Sequence, residues 1–346
     1  MTTERVDRLR ETLQEPLLVT NPVNVRYLTG FVSTNAAILV EPDRVRLFSD
    51  FRYAEAAKEV EGVEFVETKR ALLRGLAELL DGRLGIEADH ISYSGFKTLE
   101  DGGLELVPRS GTVEALRAVK DEGELDAIRR ACAITDRVYE RIAGERFVGR
   151  TERDVAWQME QLFHEEGGHG VAFPIIVASG PNGSKPHARA TDRAIAAGET
   201  VVIDAGCAID GYFSDYTRTF ATGLLPDELK EAYAVCLEAQ EAGLAGARAG
   251  VSGMDADAAA RRVVEDSPFA ATFGHGLGHG LGLDVHEAPR LATDSSDTLA
   301  AGNVVTIEPG IYLSGLGGIR IEDDVVVTED GVENLTGFTK DLISVE

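Results

Sequence analysis

The sequence predicts an α/β protein built as two domains. Three observations predict it. At 346 residues the chain is too long for one ordinary core. Its first third alternates short apolar runs with helical patterns. Beyond residue 118 the pattern changes to long amphipathic helices with capping signals, followed by apolar strands that carry acids. The boundary therefore falls near 118, giving domains 1–118 and 119–346.

In the first domain, residues 3–14 have a helical charge pattern. Strands are expected at 16–20, 36–40, 45–49, 63–66 and 83–88, where apolar and β-branched residues cluster. A further helix is expected at 71–80, and 104–108 closes the unit. The second domain opens with an acidic helical stretch, 122–143. Thr151 with Asp154, and Ser252 with Asp255, read as capping boxes that each start a helix. Residues 227–247, behind Pro226, form a long amphipathic helix. Strands are expected at 175–179, 200–206, 212–221, 304–312 and 318–328. There is no short-period repeat and no low-complexity tract.

Composition narrows the function. The chain is 44% hydrophobic, enough to bury a core. No apolar run is long enough to span a bilayer, and charged residues 1–11 lack the apolar stretch of a secretory signal. A cytoplasmic enzyme is expected. Lys and Arg number 34 against 59 Asp and Glu, a formal net charge of −25. A field this negative argues against nucleic acid or an anionic membrane as partner. Lysine is scarce and the acids are spread along the chain, a composition resembling proteins of a salt-loaded, halophilic cytoplasm. Cys132, Cys207 and Cys236 show no CxxC spacing, so buried reduced thiols are expected.

The chemistry lies in three segments. In the first, the apolar run Val201-Val202-Ile203 leads into Asp204. Asp210-Gly211 is a strong hairpin-turn signal, and the returning strand carries Asp215. A two-residue turn there sets Asp204 opposite Thr217. Asp204 and Asp215 are then diagonal neighbours on one face, roughly 7–8 Å apart. The second segment repeats the arrangement. With a turn centred near Gly315, Glu308 faces Glu322 directly, a like-charge pair that is destabilising unless compensated. The third is Gly274-His275-Gly276-Leu277-Gly278-His279-Gly280, with His286 shortly after. No Walker-type GKS/T follows these glycines, so phosphate binding is not indicated. Three histidines beside two acidic hairpins favour metal binding and acid–base work. Two Asp, two Glu and a histidine suit Mn2+, Co2+, Fe2+ or Zn2+ rather than a soft thiolate site. Four carboxylates exceed what one divalent ion needs, which points to two ions. Such a pair acidifies a water and clamps the reacting oxygens, so hydrolysis is implied.

These motifs resemble the pita-bread metallopeptidases, a group that includes methionine aminopeptidase, aminopeptidase P, prolidase and creatinase. The resemblance implies a pita-bread α+β catalytic domain with a curved antiparallel sheet. It implies metal ligation by Asp204, Asp215, His279, Glu308 and Glu322, with Asp215 and Glu322 bridging. It implies Glu308 as proton shuttle, and His286, His187 and His275 on the substrate side. Arg320 would steady the site. Asn24-Val25-Arg26-Tyr27-Leu28-Thr29-Gly30-Phe31 and Asp50-Phe51-Arg52-Tyr53 resemble the small α/β N-terminal domain of creatinase and prolidase. Methionine aminopeptidases lack that domain, and creatinase does not keep the ligands. The implied activity is hydrolysis of Xaa-Pro bonds by two divalent ions per subunit, Mn2+ or Co2+ foremost. Arg290 resembles the prolidase arginine that pairs with a substrate carboxylate, and a bidentate clamp there would select dipeptides. A solvated surface arginine is the plain alternative. Aminopeptidase P activity on longer peptides, a hydrolase of a non-peptide substrate, and a non-catalytic binding module are the rivals. The partners implied are a small peptide substrate and a second copy, as a homodimer.

Overall fold

A computed structural model describes residues 2–345. The chain divides into two compact units, Met1–Arg117 and Ala118–Glu346.

The first unit is built on one mixed sheet. Its strands are β1 (Leu17–Val19), β2 (Ala36–Val40), β3 (Val45–Ser49), β4 (Glu64–Glu67), β5 (Arg83–Glu87) and β6 (Glu105–Arg109), in the order β4-β3-β2-β1-β5-β6. β2 pairs antiparallel with β1 and β3, while the β3–β4, β1–β5 and β5–β6 pairs are parallel. Every residue of β1 and β2 is buried, which is why these segments read as unbroken apolar runs. The helices are α1 (Thr2–Arg10), α2 (Pro22–Thr29), α3 (Ala54–Lys58), α4 (Leu72–Leu79), α5 (Tyr93–Asp101) and α6 (Glu114–Ala118). Of these, α2, α3, α5 and α6 were not expected. For α2 a signal was present: Asn21 caps Val23 N at 3.0 Å, Pro22 is the first helical residue, and Gly30 at φ 72° ends the helix. Asp50 is buried and folds back on Arg52, accepting from Nε at 2.8 Å and Nη2 at 2.7 Å.

The second unit has four long helices: α7 (Glu122–Ala143), α8 (Glu152–Glu165), α9 (Asp227–Gly246) and α10 (Gly253–Glu265). Both halves of the Thr151 capping box form. At Ser252 only half does. Its hydroxyl accepts from Asp255 N at 3.0 Å, but the Asp255 carboxylate returns to that hydroxyl at 2.7 Å rather than to the backbone. The strands are β7 (Gly170–Val171), β8 (Ile176–Ser179), β9 (Thr200–Ala205), β10 (Cys207–Ile209), β11 (Tyr212–Phe213), β12 (Tyr216–Ala221), β13 (Gly278–Gly280), β14 (Glu287–Leu291), β15 (Val304–Ile307), β16 (Gly310–Leu313), β17 (Gly317–Arg320), β18 (Asp323–Val327) and β19 (Val332–Asn334). The ladders run β12-β9-β8, β11-β10-β7, β14-β13-β15-β18-β19 and β16-β17, with every pairing antiparallel. One apolar cluster joins α7 and α8 to β9 and β12 through Val138, Phe163, Ile203 and Phe220. Another joins α9 and α10 to β15 and β17 through Ala239, Ala260, Ile307 and Ile319.

Three expected strands are each split in two. The stretch 212–221 breaks at 214–215, 304–312 at 308–309, and 318–328 at 321–322. In each case a backbone group leaves the ladder. Asp215 N donates to the Asp324 carboxylate at 2.9 Å. Glu308 N donates to Leu277 O at 2.7 Å, and Pro309 has no N–H to offer. Glu322 N donates to Thr217 O at 3.2 Å. All three cysteines are buried free thiols. Among the described residues no helix is long and apolar enough to cross a membrane.

Candidate active site

The three strand breaks gather three acids. The Asp210-Gly211 turn has φ of 49° and 81°, both positive, as a type I′ hairpin requires. It sets Ile209 opposite Tyr212 and Thr217 opposite Asp204, the register expected from the turn. On the other hairpin Ile307 pairs with Asp323 and Gly310 with Arg320, so Glu308 and Glu322 occupy opposed positions in the gap between two ladders. His279 is the middle residue of β13, which passes between β14 and β15. Its flanking glycines make that passage possible. A Cβ at Gly278 would lie 1.9 Å from Thr306 O, and one at Gly280 would lie 2.2 Å from Ala288 O.

Ligand-type atoms of Asp215, His279 and Glu322 lie within 4.8 Å of one another. His279 Nε2 stands 3.7 Å from Asp215 Oδ2 and 3.5 Å from Glu308 Oε1. Its Nδ1 meets Gly280 O at 3.1 Å, a bond that assigns the proton to Nδ1 and turns the Nε2 lone pair toward the acids. Asp204 Oδ2 accepts from Arg320 Nη2 at 2.6 Å, while Asp204 Oδ1 is buried without a hydrogen-bond partner. A buried orphan oxygen of this kind needs an explanation, and a cation supplies one.

The electrostatics agree. Burial, then Glu322 and Asp204, push the Asp215 carboxyl well above the usual range. Burial, then Glu308 and Asp204, do the same to Glu322. Burial and the Asp204 charge raise Glu308 to about 8, against the lowering pull of Arg320. His279 is lowered to about 4 by burial and the nearby His286. Acids that resist ionising beside an imidazole that stays neutral form a donor set completed by divalent metal. The residues present fit that group.

Around this cluster Arg320 is the hub. Besides Asp204, it donates through Nε to Thr217 Oγ1 at 2.8 Å, and through Nη1 to Tyr312 Oη at 3.1 Å and Pro186 O at 3.2 Å. Thr217 Oγ1 in turn donates to Glu322 Oε2 at 2.6 Å. His275 meets Tyr312 Oη at 3.0 Å through Nε2 and is lowered to about 4 by burial. The His286 ring centroid lies 4.1 Å from that of His279. His187 is exposed and follows directly on Pro186, which Arg320 holds. Arg290 is exposed on β14 and its Nη2 pairs with Asp294 at 2.9 Å.

Sequence reasoning missed Thr217, Tyr312 and Asp324. Thr217 and Tyr312 lie in segments already singled out, but a neutral hydroxyl carries no spacing rule. Asp324 lies two residues beyond Glu322, and its neighbour Asp323 faces the other way, into Arg218 at 2.8 Å and Lys340 at 2.9 Å.

Residues 126–329 match metallopeptidase family M24, and residues 5–119 match the creatinase/prolidase N-terminal domain. The Xaa-Pro dipeptidase of Pyrococcus furiosus is 34% identical over 349 aligned residues, covering 98% of this chain and 99% of that protein. A solved structure of the Xaa-Pro dipeptidase from Bacillus anthracis superposes with a TM-score of 0.95 at 37% identity, covering 99% of each chain. That of an X-Pro aminopeptidase from Thermotoga maritima gives 0.89 at 34% identity, covering 99% of this chain and 100% of that one.

Proposed function

The chain belongs to metallopeptidase family M24, and from that membership we propose that it is a prolidase, hydrolysing the Xaa-Pro bond of dipeptides. One observation carries the reading: Asp215, Glu308 and Glu322 converge on the His279 Nε2 lone pair, and Asp204, held by Arg320, keeps an unpartnered buried oxygen. Asp204 would hold one ion, His279 and Glu308 a second, and Asp215 and Glu322 would lie between them. When bound, two divalent ions polarise the substrate carbonyl and make water more acidic. Mn2+ or Co2+ is the expected occupant, with Zn2+ and Fe2+ also suited to this donor set.

The chain's own groups do the rest. Glu308 receives the proton of the attacking water at a carboxylate oxygen and hands it to the departing proline nitrogen. His286, with His187 and His275 beside it, stabilises the charge that develops on the carbonyl oxygen. Arg320 holds Asp204, and through Thr217 it fixes Glu322. Arg290, released from its exposed pair with Asp294, would clamp the dipeptide carboxylate. The enzyme is proposed to work as a cytoplasmic homodimer in a salt-rich setting.

Asp215→Asn and Glu322→Gln should each abolish metal-dependent turnover while leaving a folded protein. Full activity in either would sink the assignment. Substrate length is tested with an Xaa-Pro dipeptide beside an Xaa-Pro-Xaa tripeptide, with Mn2+ or Co2+ in high salt. The likeness to the Thermotoga enzyme makes aminopeptidase activity the second reading. Cleavage of the dipeptide alone supports prolidase, and tripeptide cleavage supports that second reading. Metal binding without cleavage of either would move the assignment to a non-peptide substrate.

A further inference from the structure

Glu152 is a completely buried carboxylate that the proposed chemistry does not use. It lies at the first position of α8, where the helix N-terminus favours a negative charge. That alone does not account for its partners. Oε1 accepts from Ser179 N at 2.8 Å and Ser179 Oγ at 2.9 Å. Oε2 accepts from Asn182 Nδ2 at 2.8 Å, Thr191 N at 3.0 Å and Thr191 Oγ1 at 2.7 Å. Five donors from both ends of the 179–191 loop thus converge on one side chain. Asn182 adds a bond from Nδ2 to Arg189 O at 3.1 Å, closing the stem.

The far end of the loop rests on the site. A Cβ at Gly318 would stand 2.0 Å from Gly183 O, so glycine at 318 is what lets the loop lie on β17. Arg320, two residues along that strand, holds Pro186 O, and His187 comes next.

We infer that Glu152 is a positioning residue for the reaction: it knots the stem of the 179–191 loop and thereby fixes where His187 meets substrate. The inference rests on the reading of His187 as a substrate-side residue. Burying a carboxylate is costly unless its hydrogen bonds are all made, and five neutral donors meet that demand only while the loop keeps this one shape.

Glu152→Gln tests it. The volume is kept, but one oxygen becomes an NH2 that faces donors. Hydrogen exchange at Ser179 and Thr191 and across 183–190 should quicken by about tenfold, with α9 unchanged. With metal supplied, kcat/KM on an Xaa-Pro dipeptide should fall about 10- to 100-fold. Metal affinity of the chelator-stripped protein should stay at the wild-type value. Added to His187→Ala, Glu152→Gln should cost little more. Thr191→Val, which removes one of the five donors, should shift exchange and kinetics the same way by less, and serves if Glu152→Gln fails to fold. Native exchange in the loop, fully additive losses, or weakened metal binding would each overturn the inference. If His187→Ala leaves kcat/KM unchanged while the loop loosens in Glu152→Gln, the reading of His187 fails, and the catalytic part of the inference with it.

Discussion

Thr217 carries no charge, yet it governs two acids. Its hydroxyl is fully buried, accepts from Arg320 Nε at 2.8 Å and donates to Glu322 Oε2 at 2.6 Å. The direction is forced, because the guanidinium can only donate. One lone pair of Glu322 is thereby fixed, and the same guanidinium fixes Asp204 Oδ2 at 2.6 Å. Partners behind ligands of this kind typically cost 10- to 100-fold in metal affinity when removed, on the order expected here. Thr217→Val should therefore weaken Mn2+ or Co2+ binding by about that factor, while Thr217→Ser stays near wild type. Metal titration of the chelator-stripped protein, without any substrate, checks both. Wild-type affinity in Thr217→Val, with a loss in Thr217→Ser, would mean that shape, not the hydroxyl, matters at this position. The contrast also marks how far the site was legible in the sequence. Asp204, Asp215, Glu308 and Glu322 stood out because charge inside an apolar run is conspicuous, whereas His279 was singled out from three clustered histidines by the family resemblance. Thr217, Tyr312 and Glu152 act through hydrogen bonds whose partners lie from 8 to more than 100 residues away, and no local pattern announces them.

At the scale of elements, the site depends on two hairpins whose registers are set by their turns. Asp210-Gly211 holds both residues at positive φ, and β9 and β12 run in the register that this turn dictates. A side chain at Gly211, at φ 81°, would carry a left-handed penalty of about 1–2 kcal/mol. Gly211→Ala should lower the urea midpoint accordingly. It should also reduce metal affinity, since Asp204 and Asp215 reach one another across this turn. A lowered midpoint with native metal affinity would show that the long ladder from Thr200 to Ala221 holds the register without the turn. Turn chemistry made these registers readable, and alternation placed most of the strands. The breaks at 214–215, 308–309 and 321–322 were not readable, because alternation runs straight through them. What ends each ladder is a distant acceptor: the Asp324 carboxylate, Leu277 O and Thr217 O. The short helices α3 and α5 escaped for a different reason. α3 is a five-residue helix whose Tyr53 gives no side-chain cap bond, and α5 is interrupted by Gly95, although Ser92 caps it at 3.1 Å.

For the molecule as a whole, the governing number is the net charge of −25. Surface ion pairs are plentiful, among them Arg141 with Glu165 at 2.7 Å and Arg130 with Asp126 at 3.0 Å. Each such exposed pair is worth about 0–1 kcal/mol, and salt weakens it. Self-repulsion among the excess acids acts over longer distances and opposes the folded state throughout. The two effects predict opposite responses to salt, so the balance between them can be measured. The Debye length shrinks from about 30 Å at 0.01 M to about 10 Å at 0.1 M and about 3 Å at 1 M. Most of the long-range repulsion is therefore removed in the first decade, while pairs in contact lose less. With acids exceeding bases this far, thermal midpoints should climb by several degrees as NaCl rises from 0.01 M, steeply at first and then more slowly. Calorimetry on the metal-loaded protein reads this directly, and repeating it near the sequence pI of about 4.7 removes the net charge as a control. There the climb should flatten, because little repulsion is left to screen. A midpoint that falls with salt at neutral pH would mean that the local pairs outweigh the net field, and the proposal of a salt-rich setting would go with it.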